Sequence, residues 1–170
     1  SATDRTRSTY SEELRLSNQP QDFQHDLEHR QSVGVFIQRL NEQSTIADSS
    51  DDVIYSAIDS DYRADTGAIY SDFGIPLGNG LSLEIGGRYE HRAMQYRDDR
   101  PSYFEPTNSM WASHIALKQD LTETTQGYLQ VSRGFKGGGF NPGTRVPTSK
   151  RIYDPETLWN MELGAKGNLF

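Results

Sequence analysis

The chain has 170 residues, a formal net charge of −7 and a pI near 5.0, and this acidic balance argues against a nucleic-acid-binding protein, because neutralising phosphates requires clustered lysine and arginine. Cysteine is absent, which excludes disulfide scaffolds and thiolate metal sites. No cationic start leads into an apolar run, so no signal peptide is expected, and no apolar stretch approaches the roughly 20 residues of a membrane-spanning helix.

Alternating polar and apolar residues predict about seven β-strands, because a period of two places successive side chains on opposite faces of a sheet. The predicted strands cover residues 10–17, 30–40, 62–75, 81–90, 111–121, 128–134 and 158–166, and Pro76 is expected to end the third. The fourth has the clearest alternation, with Leu83 and Ile85 on one face and Glu84 and Arg88 on the other. No helix of useful length is predicted.

The connections between these strands alternate between short and long. Gly78-Asn79-Gly80 is expected to form a tight hairpin turn, because glycine and asparagine accept positive φ angles. Thr122-Glu123-Thr124 is a second short turn. Long polar loops are predicted over residues 41–61, 97–106 and 134–157, centred near Ser50, Tyr103 and Arg145. Outer-membrane barrels join antiparallel strands in this way, and lipid contacts only alternate residues, so the mean hydropathy of −0.77 is compatible with one.

Four short motifs occur in order near the end of the chain: SRGFK at 132–136, GGFN at 138–141, PET at 155–157 and ELG at 162–164. This pattern resembles the late barrel strands of TonB-dependent outer-membrane receptors. The segments SEELRL at 11–16, GVF at 34–36 and GGRYE at 86–90 resemble earlier strands of the same family, in the same order. The resemblance implies an all-β, antiparallel meander of about seven strands that forms a partial segment of a transmembrane β-barrel.

The family's barrels have roughly 22 strands around a plugged lumen, so residues 1–170 are expected to be a fragment without the plug domain and the remaining strands. The resemblance further implies an outer-membrane receptor of a Gram-negative bacterium that actively transports a ferric siderophore or similar metal chelate. TonB, the receptor's own plug domain, membrane lipid and the chelate would be its partners. No enzymatic activity, no cofactor and no nucleic-acid partner are expected.

Two predicted loops hold residues suited to such a ligand, because arginine beside tyrosine or phenylalanine matches a bulky, anionic and often aromatic chelate. The ligand-binding candidates are Arg97, Arg100, Tyr103 and Phe104 in one loop, and Lys136, Phe140 and Arg145 in another. The alternative is that these residues are solvated loop charges and rim aromatics, which barrels carry in any case.

Two other interpretations, a metal site and a phosphate-binding loop, carry less weight. His25-Asp26-Leu27-Glu28-His29 fits H-x-x-E-H, but metal binding by this motif requires a helix, and an extended strand would separate the histidines by roughly 13 Å. Gly137-Gly138-Gly139 lacks the frame of a phosphate-binding loop.

The remaining alternative is a soluble or secreted β-rich binding module. The location of seven apolar residues distinguishes this module from a barrel segment. A barrel segment would place them on one continuous outer face of a single sheet, whereas the module would bury them between two packed sheets. These residues are Leu83, Ile85, Tyr89, Ile115, Leu117, Met161 and Leu163.

Overall fold

A computed structural model describes residues 2–18, 30–50, 53–99, 103–141 and 147–167. These residues form β1 (Ala2–Asn18), β2 (Arg30–Ser50), β3 (Val53–Gly78), β4 (Leu81–Asp98), β5 (Tyr103–Phe104), β6 (Thr107–Asp120), β7 (Thr125–Lys136), β8 (Gly139–Phe140), a 3-10 helix (Thr148–Lys150), β9 (Ile152–Tyr153) and β10 (Glu156–Gly167). Within them, no helix is long and apolar enough to cross a membrane.

The seven long strands form one antiparallel sheet in the order β1-β2-β3-β4-β6-β7-β10. Each strand therefore pairs with the next long strand along the chain, as the predicted meander requires. The short β5 adds to β4, and β8 pairs with β9 in a separate two-stranded ladder. The sheet does not close, so β1 and β10 are its edges. The prediction of an all-β antiparallel meander is confirmed.

Two short connections lie at one end of the sheet. Gly78, Asn79 and Gly80 have φ angles of 92°, 54° and 73°, which is the left-handed backbone that glycine and asparagine accept most readily. The predicted hairpin turn between β3 and β4 is therefore present. Residues 121–124 join β6 to β7 at the same end. The H-x-x-E-H segment lies outside the described residues.

The predicted long polar loop over residues 41–61 is wrong. β2 continues to Ser50 and β3 begins at Val53, so most of this polar stretch is a long hairpin. An antiparallel ladder satisfies backbone groups whatever the side chains are, and polar side chains here bond across it. The Gln43 amide donates to Asp61 over 3.0 Å, and the Thr45 hydroxyl donates to Asp59 over 2.7 Å.

Other strand boundaries also differ from prediction. Pro76 does not end β3, which continues to Gly78 through a register shift between Pro76 and Gly78, a position that tolerates the missing proline N–H. β4 extends to Asp98 because its alternation persists beyond residue 90. The predicted loop 134–157 is shorter, since β7 reaches Lys136 and β10 begins at Glu156, and it contains β8, the 3-10 helix and β9.

The two faces of the sheet have opposite character. On the outer face, Leu14, Val35, Ile69, Tyr89 and Trp111 lie opposite one another across five strands, and all are exposed. Two further rows complete this apolar band: Phe73, Ile85, Ile115, Val131 and Met161, and then Leu83, Leu117, Leu129 and Leu163. All seven residues of the predicted lipid surface therefore share one face of a single sheet. The alternative of a module with packed sheets is wrong.

The buried residues lie on the opposite, inner face. The most buried large side chains are Met94 and Met110, both 3% exposed, followed by Phe104 at 6% and Tyr96 at 7%. They cluster toward the end of the sheet that carries the long connections, where a loop folds over the strands. This small core positions the candidate site.

Candidate ligand-binding face

The inner face of the sheet carries a buried carboxylate between two guanidinium groups. Glu90 is 5% exposed, and its two oxygens accept from Arg88 at 2.7 Å and from Arg92 at 2.9 Å. Ala68 and Met110 lie directly opposite Glu90 on the neighbouring strands. A buried carboxylate requires such partners, and the trio retains one positive charge.

Nearer the short turns, two further pairs of polar side chains cross the strands. Lys118 donates to Glu84 over 2.6 Å, and His114 lies 3.6 Å from Asp72. The His114 and Asp72 side chains both extend over Gly86, where a Cβ atom would overlap them. Asp72, Glu84 and His114 line part of an open inner-face cleft of about 710 Å³. In the described part of the chain, no three histidine or acidic residues are grouped to hold a metal ion.

Between β7 and β10, the described residues 137–141 and 147–155 fold onto the inner face, and we call them the inward loop. Its β8–β9 ladder pairs Gly139 with Tyr153. The backbone N–H of Asn141 donates to the backbone carbonyl of Arg151 over 2.7 Å. A Cβ on Gly138 would lie 2.5 Å from the Tyr153 carbonyl oxygen, so the close approach of the two loop arms requires glycine. The glycine cluster is thus a place where the backbones of the two loop arms pack closely.

One loop side chain enters a group of three rings on the strands. We call Tyr62, Tyr96 and Phe104 the aromatic slot. The Phe140 ring occupies it, with centroid distances of 5.7 Å to Tyr62, 4.7 Å to Tyr96 and 5.6 Å to Phe104. All three distances lie in the range of favourable aromatic pairs. The Arg151 guanidinium lies 6.0 Å from the Phe104 ring at the edge of the slot.

Burial changes the ionisation of the two slot phenols. Burial raises the pKa of Tyr62, and the nearby positive charge of Arg92 acts in the opposite direction on that pKa. Burial likewise raises the pKa of Tyr96, assisted by the negative charge of Asp98. Both phenols therefore stay protonated at neutral pH and present neutral rings with one O–H donor each.

On the outer face, aromatic residues lie where the apolar band approaches the long connections. The indole rings of Trp111 and Trp159 meet edge to face with centroids 6.3 Å apart. The Arg133 guanidinium lies 3.7 Å from the Trp111 ring and donates to the Trp111 carbonyl. Trp and Tyr in this position are typical of the interfacial girdle of an outer-membrane barrel.

A sequence profile described as "TonB dependent receptor-like, beta-barrel" matches residues 1–170. The chain belongs to the TonB-dependent receptor β-barrel family. The outer face of this barrel segment thus corresponds to the apolar, lipid-facing side of such barrels, and the inner face corresponds to the lumen. No curated protein matches the sequence significantly.

Solved structures of receptors share the fold of this barrel segment. The ferric yersiniabactin uptake receptor FyuA from Yersinia pestis superposes over 98% of the chain with a TM-score of 0.76 and 20% identity, and 27% of FyuA is covered. The ferric-catecholate import receptor Fiu from E. coli K12 covers 98% of the chain with a TM-score of 0.75 and 13% identity, and 30% of Fiu is covered. The alcaligin outer membrane receptor FauA from Bordetella pertussis covers 97% of the chain with a TM-score of 0.61 and 18% identity, and 26% of FauA is covered. The chain therefore spans between a quarter and a third of these receptors.

The predicted ligand-binding residues lie in different places on the barrel segment. Phe104 and Phe140, although far apart in sequence, meet in the aromatic slot. Arg97 and Tyr103 pair on the outer face, with the guanidinium 5.8 Å from the ring centroid. Lys136 is exposed at the end of β7, 3.7 Å from Glu156. Arg100 and Arg145 lie outside the described residues. Ligand binding by all seven residues stays a prediction.

Sequence reasoning missed Tyr62, Tyr96 and Arg92. A signal for two of them was present, because the alternation of β4 continues through Arg92, Met94 and Tyr96 on the face of Glu90. Tyr62 lies directly opposite Tyr96. Extending the fourth strand would have placed Arg92 and Tyr96 on the inner face.

Proposed function

We propose that the receptor containing this segment binds a metal chelate of the ferric siderophore class at the cell surface and moves it across the outer membrane of a Gram-negative bacterium. Family membership supports the receptor role, and we infer no catalytic activity. TonB would supply the energy, and the receptor's own plug domain would close the lumen. The iron complex is cargo rather than a resident cofactor.

The observation that carries this proposal is the inward loop seated on the inner face. At the end of the sheet with the long connections, which faces outward in barrels of this family, the loop brings Phe140 to the aromatic slot beside a cluster with one excess positive charge. Aromatic rings next to fixed guanidinium groups suit an anionic, ring-bearing chelate.

The polar inner face supports the expected plug. Lys118, Glu84, His114 and Asp72 present charged groups toward the lumen rather than toward lipid. A globular domain inside the barrel could pair with these groups and with the cleft that they border. The exposed apolar band supports contact with membrane lipid.

The test is ligand binding and uptake by the intact receptor. Purified receptor would be titrated with a panel of ferric siderophores, cobalamin and glycans, and cells would be assayed for uptake with and without TonB. We expect saturable binding of a ferric chelate and uptake that disappears without TonB. Substitution of the two candidate loops, Arg97 to Phe104 and Lys136 to Arg145, should weaken binding. Binding of cobalamin or a glycan in place of every ferric chelate would contradict the proposed ligand class.

A further inference from the structure

One ring, that of Phe140, contacts all three residues of the aromatic slot. We propose that the slot is a subsite for an aryl group of the chelate and that Phe140 is its displaceable internal occupant. This inference rests on the proposed function and names its ligand more narrowly: a chelate that carries an aromatic ring and negative charge. Ligand ring and Phe140 would compete for one position.

The geometry of the slot supports this assignment. Tyr62, Tyr96 and Phe104 come from three strands that pair side by side, so the sheet holds their rings in place. Phe140 lies nearly parallel to Phe104, with an interplanar angle of 13°, and is tilted by 47° from Tyr96. A ring from a ligand in the same position would make the same three contacts, and those contacts are the main attraction between rings.

Phe140 can leave the slot without dismantling the sheet, because its loop is closed on itself. The β8–β9 ladder and the Asn141–Arg151 hydrogen bond join one arm of the loop to the other arm. The ring contacts between the loop and the strands, within the described residues, are those of Phe140 and Arg151. The two arms can therefore move together when another ring replaces Phe140, and this movement would also part Gly137 from Arg92.

One buried donor below the slot, Arg92 Nε, fits the negatively charged part of such a ligand. Arg92 Nε and Asn108 Oδ1 are buried without a hydrogen-bond partner in the described chain, and the two residues lie directly opposite each other. Asn108 is 7% exposed, and Gly137 of the inward loop covers Arg92. Arg92 precedes Tyr96 by four positions on the same strand, so they are separated by roughly 13 Å. A chelate with one ring in the slot could therefore place an anionic oxygen near Arg92.

The test compares two ferric chelates on the intact receptor by calorimetric titration. A ferric tris-catecholate carries rings, whereas ferric citrate carries none. We expect Phe140→Ala to tighten tris-catecholate binding about ten-fold, because the competitor is gone, and to leave ferric citrate unchanged. Adding Phe104→Ala should abolish the gain. Phe135→Ala makes the same chemical change on the outer face, away from both the slot and the guanidinium cluster, and it should leave both affinities unchanged.

Two results would overturn the subsite. One is tris-catecholate binding that Phe140→Ala leaves unchanged or weakens, because Phe140 would then be a bystander or a direct contact. The other is a Phe140→Ala variant that binds no free catechol. This measurement tests the slot alone, and it applies if the receptor binds neither chelate and the proposed function fails. Free catechol, followed by saturation-transfer NMR, should then bind Phe140→Ala but not the Phe104→Ala, Phe140→Ala double variant. Absence of catechol binding to Phe140→Ala would sink the slot itself.

Discussion

The ring of Phe140 is stacked on the ring of Phe104, with centroids 5.6 Å apart. Phe104 belongs to the connection that follows β4, and Phe140 belongs to the connection that follows β7. This ring contact therefore joins the two connections by side-chain packing. A loop held in this way is ordered on the inner face by side-chain packing rather than by the main sheet.

Removing the Phe140 ring should loosen the inward loop. Phe140→Ala deletes three aromatic contacts, and we expect the loop's opening free energy to fall by roughly 2 kcal/mol, less than for a fully buried phenylalanine. Hydrogen exchange of amides in residues 139–153 should accelerate, while exchange in β4 and β6 should not change. Equal exchange in the parent receptor and the variant would show that Phe140 does not hold the loop.

High pH should release the same loop. The pKa values of Tyr62 and Tyr96 are raised above the ordinary 10.0 in the folded protein. Their contribution to packing is therefore fully present below pH 10.0 and is lost as the pH rises through the raised values. The parent receptor and a Tyr62→Phe variant would both be titrated by absorbance. The difference between the two curves should show one phenol that ionises above pH 10.0. Phe140→Ala should move this ionisation toward the ordinary pKa; a difference titration already centred there in the parent would contradict the burial.

A methyl group at Gly34 should destabilise the sheet. The Tyr70 ring lies over Gly34, so a Cβ there would overlap the ring, and Tyr70 would have to give up its hydrogen bond to Glu13. We expect Gly34→Ala to cost roughly 1–3 kcal/mol in the free energy of unfolding. Gly67→Ala is the matched control, because no atom lies within 4 Å of its added Cβ.

The same overlap can be tested by its relief. In a double-mutant cycle, Gly34→Ala should cost much less in a Tyr70→Ala background, because the obstructing ring is gone. The measurement is the denaturant midpoint of each variant in detergent or bilayers. Additive effects of the two substitutions would show that Tyr70 does not restrict position 34.

A charge on the outer face should be tolerated far less than a charge next to it on the inner face. Ile115 lies in the apolar band, and His114, its neighbour in sequence, faces Asp72 across the inner face. Ile115→Lys should destabilise the protein in bilayers by roughly 2–4 kcal/mol, whereas His114→Lys should change stability little. The readout is the free energy of unfolding in lipid, and similar values for both variants would contradict the lipid-facing assignment.

Alternation along the chain was sufficient to predict seven strands and the shared face of the seven residues of the lipid surface, while their antiparallel order followed from the connection lengths and the family resemblance. This succeeded because side-chain parity is a local property: Leu83 and Ile85 must share a face wherever the strand lies. The Gly78-Asn79-Gly80 turn was predictable for the same reason, since its positive φ angles depend on those residues alone.

Strand length was not predictable in the same way. The polar composition of residues 41–61 predicts a loop, yet backbone pairing extends β2 to Ser50 and begins β3 at Val53. Hydrogen bonds of an antiparallel ladder do not require apolar side chains outside the membrane. The pairing partner, rather than the composition of one segment, decides where such a strand ends.

The sequence by itself determined that this protein is a β-meander of the TonB-dependent receptor barrel family with one apolar and one polar face. Only the tertiary structure decided which loop residues meet. Among the described candidates, Phe104 and Phe140 come together on the inner face with Tyr62 and Tyr96, while Arg97 and Tyr103 pair on the outer face. Local periodicity assigns a residue to a face, but a contact between two distant connections depends on how the inward loop folds over the sheet.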